Sequence, residues 1–234
     1  MKQKMNNAIL SSRTSRLDTA IAVWLFVLCL LMPPLKPTAM CKNIPLAASA
    51  AKSDIETQSG IKAAFIYNFM KFVEWPENNT DQEGQEQSKK MVIGILGKSP
   101  FGKAFVPIIG KTIKGREIQL VEIDGYHAFR KTSADKSSAW DAYRAEYQEI
   151  FQECDVLFVC DSEKDYVTEL LSLTSGNMTL TISDISKFAQ KEGMIGFIID
   201  NNKIRFNVNL KNAKEESIKI RTQLLKLAKK VYTK

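Results

Sequence analysis

Histidine is almost missing from this chain: His127 is the only one in 234 residues. A zinc site needs several imidazole or thiolate ligands, and four scattered cysteines without a CxxC pair do not complete one. A Ser/His/Asp or Cys/His triad would have to use His127, which lies in a polar, weakly patterned stretch, and no G-x-S-x-G elbow is present. An Asp-rich loop of the EF-hand type is lacking too. No metal or other cofactor is implied. Long apolar runs are also scarce. The longest, AIAVWLFVLCLLM at 20–32, has thirteen residues, whereas spanning a hydrocarbon core takes about 20. With 7 Pro, 11 Gly and 44% hydrophobic residues, the chain is neither disordered nor collagen-like. It is long enough to bury a core without disulfide staples.

Charge of one sign accumulates only at the ends. Residues 1–50 carry +5 of the net +7, residues 211–234 carry +6, and residues 51–210 carry −4. Basicity concentrated in a leader and a tail is not a nucleic-acid footprint. The basic tail fits either a membrane surface, an acidic partner or a solvated helix face, and the last is preferred because such runs usually just solvate. At the other end, Lys2, Lys4, Arg13 and Arg16 precede the apolar run, and Pro33-Pro34 stop it. That is the order of a secretory signal. The best small-residue cleavage site is Ala48-Ser49-Ala50, and the bulky Met40 before Cys41 argues against lipidation. The sequence therefore predicts a leader over 1–50 and one exported domain over 51–234. The alternative is an uncleaved membrane anchor formed by residues 20–32.

The mature part alternates helical and extended patterns. Ser53 with Glu56 three residues on is a capping-box pattern, and Ile61, Phe65, Phe69 and Phe72 follow on one helical face as far as Trp75-Pro76. Residues 77–90 read as a solvated loop. MVIGIL (91–96) is a buried strand, residues 99–109 a short helix, and REIQLVEI (116–123) a strand with one covered face. Residues 124–138 carry little pattern. Trp140, Tyr143, Tyr147 and Ile150 mark a helix over 139–151, residues 155–159 a strand, residues 163–173 a helix closed by Gly176, and residues 178–182 a strand. Asp200-Asn201-Asn202-Lys203 joins two apolar runs as a hairpin. A last helix then buries Ile220, Leu224, Leu227 and Val231. The predicted class is an α/β sandwich: a mixed, mostly parallel sheet flanked by helices, with a C-terminal β-hairpin plus helix.

Few residues point to chemistry. Gly97-Lys98-Ser99 ends like a phosphate loop, but Val92 stands where the motif needs its first Gly. Asp161, Glu163 and Asp165 follow a strand, where α/β folds place sites, yet they also make an ordinary acidic helix start. Asn78-Asn79-Thr80 and Asn177-Met178-Thr179 match the short glycosylation pattern. Cys154 and Cys160 bracket DVLFV. An extended strand holds them roughly 20 Å apart, beyond the ~7 Å a disulfide tolerates, so two semi-buried thiols are preferred over a bridge.

Two stretches in one order carry a resemblance. The first is IKAAFIYNFMKFVEWPE, from Ile61 to Glu77. The second runs from Thr179 to Ala228 and holds Ser183-Asp184, Phe188-Ala189, Gly193-Met194-Ile195, Arg205-Phe206, Asn209-Leu210 and Leu224-Leu225. GILGKSPFG (94–102) lies between them. Together they resemble the YfiR-like family of exported bacterial regulators over nearly all of 59–231. The resemblance implies a non-enzymatic repressor of a membrane-bound signalling enzyme, a diguanylate cyclase or a sensor kinase, acting by contact with its periplasmic portion. A homodimer is compatible with it, and nucleic acid is not a partner. Redox release through cysteines is known in the family, but the cysteines here do not reproduce a two-disulfide framework. A small-molecule-binding periplasmic protein is the alternative. If a groove exists, Tyr67, Lys71, Trp75, Asp184 and Phe188 are its candidate residues, Tyr and Trp being typical anchors. The competing structural roles are core packing for the helix aromatics and helix capping for Asp184 and Asn209.

Overall fold

The computed structural model describes residues 46–76 and 90–233, with side chains from Glu56 onward. The leader, most of the 77–90 loop and the Asn78 motif lie outside them. The compact unit spans Pro45–Lys234. In chain order its elements are α1 (Leu46–Phe72), β1 (Val73–Glu74), β2 (Lys90–Leu96), β3 (Thr112–Ile113) and β4 (Arg116–Ile123). Next come α2 (Tyr126–Thr132), α3 (Ala139–Glu153), β5 (Val156–Val159), a 3₁₀ turn (Asp161–Tyr166), α4 (Val167–Ser172) and β6 (Leu180–Ser183). The chain closes with α5 (Phe188–Lys191), β7 (Ile195–Asp200), β8 (Lys203–Asn209), α6 (Leu210–Glu215), β9 (Lys219–Ile220), α7 (Thr222–Leu225) and β10 (Lys230–Tyr232).

Eight strands form one sheet in the order β10-β8-β7-β6-β5-β2-β4-β3. Only the β7–β8 and β3–β4 pairs are antiparallel; the other five are parallel. Two tight hairpins account for those exceptions. Lys114-Gly115 and Asn201-Asn202 both have positive φ at the two central positions, the conformation a two-residue hairpin loop requires. The pair β1–β9 forms a separate antiparallel ladder. The mixed, mostly parallel sheet flanked by helices is thus the architecture the sequence predicts.

Strand alternation splits the core into two layers. Met91, Ile93 and Ile95 face one side with Val156, Phe158 and the rings of Phe65, Phe69, Phe197 and Phe206; α1, α6 and α7 cover it. Val92, Leu96, Leu157 and Val159 face the other, under α2 to α5 and a cluster of Tyr126, Tyr143 and Phe151. Parallel strands buried on both faces read as continuous apolar runs, which is why MVIGIL and VLFV stand out in sequence.

Several local expectations differ. Helix α1 begins at Leu46, so Ser53 lies inside it; LAASAA is rich in strong helix formers and needs no cap at that point. Of the expected face of α1 only Ile61 is exposed, at 42%; Phe69 is buried, Phe65 and Phe72 pack half-buried against the core, and Ala63, Ile66 and Met70 are buried with them. Residues 102–110 are successive turns with i→i+3 bonds such as Ala104 N to Phe101 O, not a helix. The expected helix over 163–173 is a 3₁₀ turn followed by α4. The long last helix does not exist. Ser217 adopts φ 59°, α6 ends, Ile220 pairs with Val73, and Val231 joins β10 beside Val208. Leu227, expected in the buried stripe, is 59% exposed. Edge pairing has overridden a helical spacing. Asn209 does cap α6, its Oδ1 accepting from Asn212 N at 3.1 Å.

Candidate functional site

The carboxyl ends of β2, β5 and β6 converge where the chain order reverses: β2 connects outward to β4, then β5 returns to the other flank of β2. Such a switch point splays the following loops apart and leaves a crevice. Here it is an open cleft of about 320 Å³ lined by Lys98 and Pro100 after β2, Asp161 and Ser162 after β5, and Asp184 after β6. The first turn of its wall is set by Gly97, whose φ of 91° lets Gly97 N bond Ile123 O.

Beneath the cleft Glu163 turns inward and is 1% exposed. Its Oε2 accepts from His127 N at 2.9 Å and its Oε1 from Ser162 Oγ at 2.8 Å, while Ser162 Oγ accepts from Lys98 N at 3.0 Å. A Cβ on Gly125 would stand 2.0 Å from Glu163 Oε1, so the carboxylate occupies space that only glycine leaves. One buried carboxylate thereby ties the ends of β2, β4 and β5 together. The Ser162 hydroxyl is held between this carboxylate and Lys98 N, and His127 contributes its backbone N–H rather than its ring.

Helix α1 closes one side. Ser59 Oγ donates to Pro100 O at 2.7 Å, and Lys62 Nζ donates to Asp184 Oδ2 at 2.5 Å. These two side chains are 14% and 24% exposed. Asp184 Oδ1 is buried and has no hydrogen-bond partner among the described residues. A buried carboxylate oxygen without a donor is costly, and a ligand hydroxyl or ammonium would satisfy it. Asp184 does not cap 186–190: α5 starts at Phe188 behind Lys187, which has φ 63° and gives no side-chain cap. Ser183 Oγ makes the local bond instead, to Ile185 N at 2.9 Å.

The five candidate residues separate into three places. Asp184 lines the cleft. Phe188 is 3% exposed and packs over Gly193, where a Cβ would meet its ring at 1.8 Å; it belongs to the core. Tyr67, Lys71 and Trp75 gather on the exposed side of α1 and just beyond its end. Lys71 Nζ lies 4.1 Å from the Tyr67 ring centre and Lys111 Nζ 6.0 Å from it. Lys114 Nζ sits 5.1 Å from the Trp75 ring and donates to Val73 O; burial, followed by the nearby Arg221, pulls its pKa down. Lys98 and Glu163 carry the phosphate-loop ending and the acidic run of the sequence, each of which reads more readily as an ordinary turn or helix start, and Lys62 carries no such signal of its own. Lys62 lies in the Lys-Ala-Ala motif, which is the one sequence signal that could have found it.

Cys154 and Cys160 are free, 2% and 1% exposed, and flank β5. Burial, then nearby carboxylates, pushes both thiols up to about 12. Neither forms a thiolate at neutral pH, so neither is poised for redox chemistry.

No curated protein matches the chain. Matching solved structures include the ABC domain in complex with L-Trp from Streptococcus pneumonia, at 14% identity and a TM-score of 0.41. A conserved domain protein from Vibrio cholerae O1 biovar eltor matches at 9% and 0.40. Each alignment covers 60% of this chain, which spans 55% and 54% of those structures. The YfiR/HmsC-like family model matches residues 59–229, from Ser59, which bonds Pro100 in the cleft wall, to the residue before β10. That span includes Lys62, Glu163 and Asp184, and the chain belongs to the YfiR/HmsC-like family.

Proposed function

We propose that this protein is an exported, non-enzymatic regulator that restrains a membrane-bound signalling enzyme, a diguanylate cyclase or a sensor kinase, by contact with the enzyme's periplasmic portion. The observation that carries the reading is the family match, which takes in nearly all of the described unit. A leader over 1–50 delivers residues 51–234 to the periplasm as one domain, or holds them at the inner membrane through 20–32. Among the described residues no helix is long and apolar enough to cross a membrane. The site chemistry supports a binding role: Ser162 Oγ is tied to Glu163, and both thiols are buried and protonated.

Restraint by contact is a population shift: the regulator binds the enzyme's inactive state more tightly than its active one. Turning a mostly active population into a mostly inactive one takes a differential affinity of about 5.5 kcal/mol. Deleting the gene therefore raises cyclic di-GMP or the phosphorylation of a kinase's target, and the exported chain restores the original level while a leaderless chain does not. Deletion that changes neither output would end this reading.

One observation favours a second reading, a periplasmic small-molecule-binding protein: the partnerless buried Oδ1 of Asp184 at the switch-point cleft. A small polar ligand bearing an amine or hydroxyl would raise the melting temperature of the wild type by mass action, and Asp184→Asn would lose that response. A panel of such compounds that leaves the wild type unmoved would remove this reading.

A further inference from the structure

Helix α1 runs beside residues 100–111, which lie over one face of the sheet, and beside the β3–β4 turn that follows them. They are joined at Ser59 to Pro100, at Tyr67 to Lys111, and at Val73 and Trp75 to Lys114. Within this second strip Phe101, Phe105 and Ile108 turn into the core. The turn geometry then leaves Val106 and Ile109 pointing outward, 63% and 45% exposed. Lys103 lies three residues before Val106 and Lys111 two after Ile109, while Lys71 and Lys111 both approach the Tyr67 ring; all three lysines are exposed and none is in an ion pair among the described residues. Of the described acids at the rim, Glu74 is held by Arg221 at 2.6 Å and Lys219 at 3.5 Å, and Glu117 lies beside Gly110.

We propose that this face docks on an anionic phospholipid surface. Protruding aliphatic side chains on a turn enter the acyl boundary, half-buried Tyr67 and Trp75 lie at headgroup depth, and the lysines meet phosphates. A protein partner would need pockets for Val106 and Ile109, whereas a fluid interface needs none. The inference does not depend on which enzyme the protein regulates.

The test is flotation of the full chain, as recovered from exporting cells, with vesicles of phosphatidylcholine alone or with roughly one-third phosphatidylglycerol, at low and high salt. The wild type floats with the anionic vesicles at low salt. Replacing Lys71, Lys103 and Lys111 by Gln lowers its partitioning roughly a hundredfold, at about fivefold for each lysine near the surface. The double variant V106S/I109S lowers it roughly tenfold or more. All five positions are exposed, and an unchanged melting temperature verifies that each variant is folded. A control triple at exposed Lys203, Lys214 and Lys226 changes net charge equally and keeps binding. Equal loss in the control would reduce the effect to net charge and overturn the proposal. Vesicle binding that neither variant alters would belong to the leader and overturn it as well. Absence of binding to anionic vesicles overturns it outright and leaves the face to an acidic protein.

Discussion

Two partly buried aspartates sit at opposite ends of the parallel strands and are treated differently. At the amino end of β5, Asp155 uses both oxygens: Oδ1 accepts from Arg116 Nη1 at 2.7 Å, and Oδ2 from Arg116 Nη2 and Val92 N, each at 2.8 Å. Past the carboxyl end of β6, Asp184 accepts one bond from Lys62 and keeps a buried oxygen with no donor. The first staples β2, β4 and β5 together and leaves nothing over. The second holds α1 against the sheet and keeps hydrogen-bonding capacity in reserve, directly beside the cleft. A saturated end fixes the fold, and an unsaturated end is where a ligand or partner gains free energy by binding.

That contrast is broken most severely at the saturated end. Asp155→Ala removes both acceptor oxygens from Arg116, which keeps its bond to Lys90 O, and leaves Val92 N without its acceptor; it is expected to cost about 3 kcal/mol in chemical denaturation. A cost equal to that of the matching Asp184 change would erase the difference between the ends. Glu163→Ala comes next, at about 2 kcal/mol, because it removes two hydrogen bonds to one buried carboxylate. Its diagnostic is local: the amides of Lys98 and His127 exchange faster with solvent while those of β2 and β5 stay protected.

Asp184→Asn has a smaller cost, about 1 kcal/mol, since the amide oxygen still accepts from Lys62 and the pair is not fully buried. A loss above about 3 kcal/mol would place Asp184 with the structural staples and contradict its reserve role. The smallest effect at neutral pH concerns the thiols. Their folded pKa of about 12 lies above the ordinary 9.0, so the folded state binds more protons. Their burial costs nothing below pH 9, and stability falls as the pH climbs from 9 towards 12. Mass spectrometry of the native protein at neutral pH should find Cys154 and Cys160 unlabelled by maleimide until denaturant is added. Rapid native labelling would restore a redox reading.

Legibility in the sequence follows the range of the interactions. REIQLVEI alternates, MVIGIL is uniformly apolar and Asn201-Asn202 fits a two-residue turn, so β4, β2 and the β7–β8 hairpin are visible from local pattern. The tail is not. Ile220, Leu224, Leu227 and Val231 are spaced for a helix, but β1 and the edge of β8 draw Ile220 and Val231 into ladders that only the assembled sheet offers. The site is legible in parts for the same reason. Asp184 stands out through the Ser183-Asp184 motif, yet its partner Lys62 is 122 residues away. Glu163 reads as a helix-start acid, and only the space left by Gly125 turns it inward.

The most direct test of the proposed restraint is in-cell crosslinking of a C-terminally tagged chain, followed by identification of captured membrane proteins. The account predicts an inner-membrane diguanylate cyclase or sensor kinase, recovered through its periplasmic portion and lost when the leader is removed. Conditions that trap a known periplasmic complex but recover no such enzyme would contradict it.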